Sequence, residues 1–257
     1  MNLLRISIYS IILSSCYSHN SAERDHPKKI NPSVAKDVIP KTPSEFLNQV
    51  ESASEAEYKS GDTIKYVCGD LFKSNEKFAL ITYKRRFDGA VYQLYKFSQK
   101  KWELLIDDVA ETNEDMDYRI KDFDFDGTLD FAYLNTVNMN GNGWYKLYTK
   151  QPHSFNIIHS FENVSNPIID PNAHLIKSKY LAGNYDQHSK TIYQFQNGQF
   201  QVRETVTIDP VFDQSNEIIG HTVCYSKLQN NKLKTIFKKT NPQDLSFDLY
   251  EKTIPMD

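Results

Sequence analysis

The feature that most constrains the fold is a change of texture after Gly61, where apolar and polar residues begin to alternate. Alternation with a period of two is typical of half-buried antiparallel strands. The clearest turn is Asn197-Gly198, because these two residue types readily adopt the positive φ angles of a two-residue hairpin. Four segments have the pattern of strand, short turn and strand: 91–105, 143–158, 191–208 and 222–237.

These hairpins follow one another without helices between them, which predicts an all-β domain with a β-propeller-like arrangement. The 16 Tyr and 15 Phe agree, since aromatic residues favour strands. A simple antiparallel sandwich is the alternative. One short helix precedes the strands: Thr42 is the predicted N-cap, Pro43 the first helical residue and Glu45 the capping partner, with Phe46 on the apolar side and Gly61 ending the segment.

The first fifteen residues have an early Arg5 and a short apolar run, as in an export signal peptide. Leu13-Ser14-Ser15-Cys16 resembles a bacterial lipobox, which predicts cleavage before Cys16, lipidation of its sulfur and anchoring to a membrane. Residues 16–41 then form a flexible tether, and 42–257 a single domain. Ser18 at the position that directs sorting in some bacteria favours the periplasmic side of the outer membrane.

The chain contains 3 Cys. If Cys16 is lipidated, Cys68 and Cys224 remain as an even pair that can close a disulfide in an oxidising compartment. Two free thiols are the alternative.

Residues 122–131, DFDFDGTLDF, contain two overlapping motifs. D-x-D-x-D-G-x-x-D is typical of a calcium loop, with hard oxygen ligands at alternating positions and a glycine at the sharp turn. In this interpretation calcium is the structural cofactor, and its ligands are Asp122, Asp124, Asp126, the Thr128 carbonyl and Asp130.

The second motif, D-x-D-G-T-L, is the first motif of haloacid dehalogenase phosphatases, with Asp124 as nucleophile and Asp126 as acid/base. Those enzymes need a buried parallel strand before the nucleophile. Here the approach, Tyr118-Arg119-Ile120-Lys121, is polar at alternate positions and indicates a half-exposed antiparallel strand. We therefore expect a strand-loop-strand calcium site and a protein that is not an enzyme.

Four segments, KDFDFDGTLDFAYL, NGNGWYKLYT, ENVSNPIIDPNAHLIKSKY and KTIYQFQNGQFQVRE, resemble in order and spacing a family of bacterial calcium-binding, β-propeller-like lipoproteins. That family includes immunity proteins that inhibit lysozyme-like peptidoglycan hydrolase effectors. The resemblance implies calcium ligation at the Asp122–Asp130 loop and a peptidoglycan hydrolase as the protein partner. This chain departs from the family at Thr128, where an aromatic residue is common, and in lacking a glycine-rich stretch at 182–189.

A shorter pattern, Ser60-Gly61 followed by Tyr66, is similar to the inhibitory loop of animal-type lysozyme inhibitors, and these three residues are a candidate inhibitory loop. A net charge of -3 argues against nucleic acid as a partner. The sequence thus predicts an envelope lipoprotein that binds and inhibits a lysozyme-like peptidoglycan hydrolase. A calcium-stabilised module that binds glycans or a surface protein is the first alternative, and the phosphatase is the second.

Overall fold

The computed structural model describes residues 42–61, 63–85, 89–112, 116–183, 187–241 and 243–256. The predicted signal peptide, the lipidation site Cys16 and the tether lie outside these ranges. Within them, no helix is both long and apolar enough to cross a membrane.

The described strands form three antiparallel sheets, and in each sheet neighbouring strands are also consecutive in the chain. The first sheet consists of β1 (Ala56–Ser60), β2 (Ile64–Gly69), β3 (Phe78–Arg85), β4 (Gly89–Ser98) and β5 (Lys101–Val109). The second consists of β6 (Tyr118–Lys121), β7 (Asp130–Val137), β8 (Gly143–Lys150) and β9 (Phe155–Ile157). The third consists of β10 (Ile168–Asp170), β11 (Leu175–Tyr180), β12 (His188–Gln196), β13 (Gln199–Phe212), β14 (Ile218–Gln229) and β15 (Lys232–Asn241).

The all-β prediction is confirmed, and so are the four hairpins, which become β4–β5, β8–β9, β12–β13 and β14–β15. At the β12–β13 turn Asn197 and Gly198 have φ angles of 51° and 76°, as a two-residue hairpin requires. The three meandering sheets succeed one another as propeller blades do, but the described strands do not close into a ring.

In the described parts of the chain two α-helices flank the strands, and a 3₁₀-helix (His159–Asn163) follows β9. Helix α1 (Pro43–Gln49) begins as predicted, with the Thr42 hydroxyl accepting a hydrogen bond from the Glu45 amide. The expectation that this segment stays helical up to Gly61 is wrong, because Ala56–Ser60 pairs with β2 along its whole length and those backbone bonds replace helical ones. Helix α2 (Gln243–Thr253) was not predicted. The sequence pattern that indicates this helix is the spacing of Phe247, Tyr250 and Ile254, which places them on one face.

The core lies between the sheets and under the helices. Tyr92 of β4 stacks on Tyr133 of β7 with ring centroids 4.2 Å apart, which joins the first sheet to the second. Leu147 of β8 and Ile176 of β11 belong to a buried cluster that joins the second sheet to the third. Helix α1 packs on the first sheet and α2 on the third. The second sheet, which carries the candidate site, is therefore held on both sides.

Candidate metal centre

The candidate site is the loop of residues 122–129 between β6 and β7. The loop turns sharply at Phe125 and Gly127, whose φ angles are 65° and 89°. Glycine suits the second position because a Cβ disfavours this backbone conformation. The expected strand-loop-strand arrangement is confirmed, since β6 pairs with β7 from Tyr118↔Tyr133 to Lys121↔Asp130.

The carboxylates fold the loop around themselves. The Asp122 Oδ2 atom accepts a hydrogen bond from the Gly127 amide at 2.9 Å. The Asp124 Oδ1 atom accepts one from the Asp126 amide at 3.2 Å. Aspartate favours such turns because its short side chain bonds to backbone groups a few residues along. These bonds hold the side chains inward without using all of their acceptor capacity.

Three carboxylates converge. Asp122, Asp124 and Asp130 each offer one oxygen, and these oxygens all lie within 4.8 Å of one another. Two oxygens bound to the same calcium ion are at most about 5 Å apart, because each bond is about 2.3 to 2.6 Å long. The three residues are thus close enough together to hold a metal ion.

Asp130 is the most deeply placed of the three, with 1% of its surface exposed. Its Oδ2 atom accepts a hydrogen bond from the Phe123 amide at 2.9 Å, and its Oδ1 atom one from the Lys150 amide at 3.0 Å. Burial raises the pKa of Asp130 to about 7, against the opposing effect of these two hydrogen bonds. Without a cation, the fold penalises the charged form of this side chain.

Asp124 shows the same tendency. Burial is the larger cause and the negative charge of Asp126 the next, and together they raise the pKa of Asp124 to about 6. Like charges that are held together favour protonation or the binding of a cation.

Asp122 supplies the strongest indication that the loop binds a cation. Its Oδ1 atom is buried and has no hydrogen-bond partner among the described residues, although its Oδ2 atom is bonded. A buried, unpaired carboxylate oxygen is costly, so native proteins almost always satisfy such a group. A divalent cation would satisfy this atom together with the converging oxygens of Asp124 and Asp130.

Asp126 and the Thr128 carbonyl were also predicted to be ligands, and the structure places Asp126 differently from the three converging carboxylates. Asp126 is exposed, and its Oδ1 atom accepts a hydrogen bond from the Thr128 amide at 2.6 Å. Its carboxylate is not one of the three that converge. Asp126 therefore stabilises the second half of the loop in this conformation, and ligation by Asp126 or by the Thr128 carbonyl stays a prediction.

Sequence reasoning missed the groups that support the loop from a distance. The ring of Phe123 is fully buried and meets Phe161 edge to face at 5.3 Å. The ring of Phe125 stacks on His174, with an interplanar angle of 3° and centroids 5.4 Å apart. Lys150 contributes only a backbone amide. No local pattern announces these partners, because they come from β8, the following 3₁₀-helix and the turn before β11.

The candidate disulfide is not formed. Cys68 and Cys224 are both free thiols in the structure. The physical reason is their placement, since Cys68 lies on β2 of the first sheet and Cys224 on β14 of the third. Burial raises the pKa of the Cys68 thiol to about 11, which makes this sulfur a poor nucleophile.

The candidate inhibitory loop is divided between surface and core. Ser60 and Gly61 are exposed at the turn between β1 and β2. Tyr66 is 2% exposed and lies against the rings of Phe46 and Tyr58, with centroids 5.0 and 5.8 Å away. The prediction that Tyr66 contacts a partner is therefore wrong, because its ring packs in the core beneath α1.

The described strands do not provide the parallel arrangement that the phosphatase alternative requires. The strands that flank Asp124 are antiparallel, as is every pair of strands in the described parts of the chain. A haloacid dehalogenase nucleophile stands at the carboxyl end of a parallel strand in an α/β sheet.

Comparison with known proteins finds a distant structural neighbour. No protein-family model matches the chain. No curated protein matches it either. A solved structure described as a Xanthomonas type IV secretion system related protein is similar to this chain at 14% identity, with a TM-score of 0.41, over 71% of this chain and 93% of that one. Likeness at this level carries no argument about function.

Proposed function

We propose that Asp122, Asp124 and Asp130 bind a calcium ion that stabilises the domain. The buried, unpaired Oδ1 atom of Asp122 carries this proposal. The donor set favours calcium over zinc or copper, because it consists of carboxylates without histidine or cysteine. The role is structural, since the loop ties β6 and β7 to β8 through the Lys150 amide.

The experiment that tests the site is calcium titration of the metal-free protein by calorimetry, with magnesium and zinc in parallel. The expected result is one site that prefers calcium and that Asp124→Asn weakens strongly. Asp107→Asn is a suitable control, because Asp107 is an exposed carboxylate on the first sheet. Absence of calcium binding, or equal calcium affinity of the Asp124→Asn variant, would show that these carboxylates do not form a calcium site.

We further propose that this calcium-stabilised domain binds a protein, and that the partner is a lysozyme-like peptidoglycan hydrolase which it inhibits at the bacterial envelope. The resemblance of segments around the calcium loop to immunity proteins supports this proposal. The lipid anchor at Cys16 would place the inhibitor at the membrane where such an enzyme arrives.

A structural feature also supports contact with a protein. Met139 is completely exposed, at 105% of its reference surface, at the tip of the loop between β7 and β8. The loop is held in one shape: the Asn138 Oδ1 atom accepts hydrogen bonds from the amides of Asn140 and Asn142. The buried Asn142 side chain in turn bonds to both backbone groups of Leu181. A rigid loop that presents an apolar side chain loses little entropy when a partner covers it.

Inhibition is tested by the clearing of peptidoglycan suspensions by lysozyme-fold hydrolases, with and without the protein. Stoichiometric inhibition is the expected result, and Met139→Asp should weaken it without lowering the melting temperature. Replacement of Ser60 by Arg, in the turn between β1 and β2, is the matched surface variant. If only the Ser60 variant lost inhibition, the contact with the enzyme would lie at that turn and not at Met139. No inhibition of any such enzyme would count against the hydrolase as partner and favour a glycan or a surface protein.

A further inference from the structure

A pocket of about 380 Å³ lies beside the second sheet, where β7 ends and β8 begins. We call it the Trp144 pocket. Strand β7 supplies two lining residues and strand β8 two more, while the segment after β5 and the 3₁₀-helix supply one each: Asn135, Thr136, Trp144, Tyr145, Glu111 and Glu162. A volume of this size is within the range of pockets that take small ligands or single side chains.

The lining is negatively charged. Glu111 and Glu162 are exposed carboxylates, and none of the six lining residues is Lys, Arg or His. Glu162 is in contact with His159, whose Nδ1 atom is 3.0 Å from the Glu162 Oε1 atom. An anionic ligand would be repelled here, while a cationic one would be attracted.

The lining also contains an acceptor without a donor. The Asn135 Oδ1 atom is buried and has no hydrogen-bond partner among the described residues. Buried polar atoms in native proteins are nearly always paired, so this atom calls for a donor. The site therefore offers two carboxylates, and one of its lining residues carries a buried, unpaired oxygen.

Aromatic rings complete the lining. Trp144 is half-buried, and its ring is tilted against that of Tyr180, with centroids 6.2 Å apart. Indole is the aromatic group that best attracts a cation. Tyr145 already has such a neighbour, because the Arg119 guanidinium lies 4.2 Å from its ring centroid.

Arg119 does not neutralise the pocket. Its guanidinium donates hydrogen bonds to the Pro167 carbonyl and to the Tyr145 hydroxyl, and lies 3.6 Å from an oxygen of Asp117. The charge of Arg119 is therefore balanced by Asp117, which is not a lining residue. The same contacts fix the position of Tyr145.

We propose that the Trp144 pocket binds a guanidinium or ammonium group, from the side chain of an Arg or Lys of a polypeptide or from a free amine. These groups have donors and no acceptors, which matches a lining with two exposed carboxylates and no cationic side chain. A planar guanidinium also stacks well on an aromatic ring. The proposal is independent of the identity of the partner and of the calcium site.

The test is titration of the full chain in calcium, monitored by isothermal titration calorimetry, which detects binding whether or not Trp144 is present. The ligands are N-acetyl-arginine amide, its neutral isostere N-acetyl-citrulline amide, a short peptide with a central arginine, and N-acetylglucosamine. Saturable binding of the arginine ligands, absent in Trp144→Phe and weaker at high salt, is the expected result. If the arginine peptide binds and N-acetyl-arginine amide does not, the group comes from a polypeptide. If N-acetyl-arginine amide binds as well, a small cationic molecule is also a possible ligand.

Substitutions separate charge from general disruption. Glu111→Gln and Glu162→Gln should each weaken arginine binding about two- to fivefold, because these carboxylates are exposed and solvent screens them. Glu217→Gln, at an exposed turn of the third sheet, should leave the affinity unchanged. Equal affinity for arginine and citrulline would overturn the proposal. So would binding of N-acetylglucosamine in the absence of arginine binding, which would indicate a neutral sugar site.

Discussion

The most informative prediction concerns the stability of the calcium-free protein as a function of pH. Asp130 is 1% exposed, and burial raises its pKa from 3.8 to about 7. In the unfolded chain this side chain has an ordinary pKa, so the folded state binds the proton more tightly. The favourable contribution of the neutral form is fully present below about pH 4 and is lost as the pH rises through about 7.

The magnitude follows from these two pKa values. One pH unit corresponds to about 1.36 kcal/mol, and the loss between pH 5 and pH 8 amounts to about 3 kcal/mol for Asp130 alone. For a domain of this size, each kcal/mol corresponds to roughly 2 to 4 °C of melting temperature, so the melting temperature should fall by roughly 6 to 12 °C. The raised pKa of Asp124 acts in the same direction, reduced by the partial exposure of that side chain.

Calcium should largely offset this dependence, because the ion holds the carboxylates in their charged form. Binding at one hundred times the dissociation constant adds about 2.7 kcal/mol. The stabilisation by calcium should therefore be larger at pH 8 than at pH 5, where protons compete for the same oxygens.

The assay is thermal unfolding followed by circular dichroism from pH 5 to pH 8, in buffer with EDTA and in buffer with excess calcium. Asp130→Asn should flatten the pH dependence in EDTA, whereas Asp107→Asn, at an exposed position on the first sheet, should preserve it. Carboxylates with a lowered pKa, such as Glu204, lose their contribution only as the pH falls towards more acidic values. A melting temperature in EDTA that stays level or rises between pH 5 and pH 8 would refute the reasoning, as would equal slopes with and without calcium.

Three further substitutions test the site and its scaffold. Asp124→Asn should lower the melting temperature in calcium and not in EDTA; equal losses in both buffers would show that the residue acts without the ion. Asp108→Asn should reduce the free energy of unfolding in urea by about 2 kcal/mol, because this carboxylate accepts hydrogen bonds from two tyrosines and a lysine of the second sheet. Asp107→Asn, on the same strand, should have little effect, and comparable losses would contradict the role of that network. Gly89→Ala should impair folding far more than Gly141→Ala when urea unfolding is compared, since a Cβ at Gly89 would lie 1.7 Å from a backbone carbonyl oxygen and one at Gly141 has open space.

The sequence by itself determined the features that depend on neighbours in the chain. Alternating residues and the Asn197-Gly198 turn specify hairpins, because strand period and turn angles are local properties. The spacing of Asp122 and Asp124 with Gly127 specifies a loop whose carboxylates bond to its own amides. The beginning of α1 is equally local, since the Thr42 side chain caps an amide three residues away.

Only the tertiary structure decided the properties that depend on distant partners. The pKa of Asp130 results from burial and from the amide of Lys150, which lies on another strand. Tyr66 becomes a core residue because α1 covers it, and Cys68 stays a free thiol because Cys224 belongs to another sheet. The Trp144 pocket combines four separate segments. Burial and long-range contact arise from packing of the sheets, and a linear pattern of residues does not encode them directly.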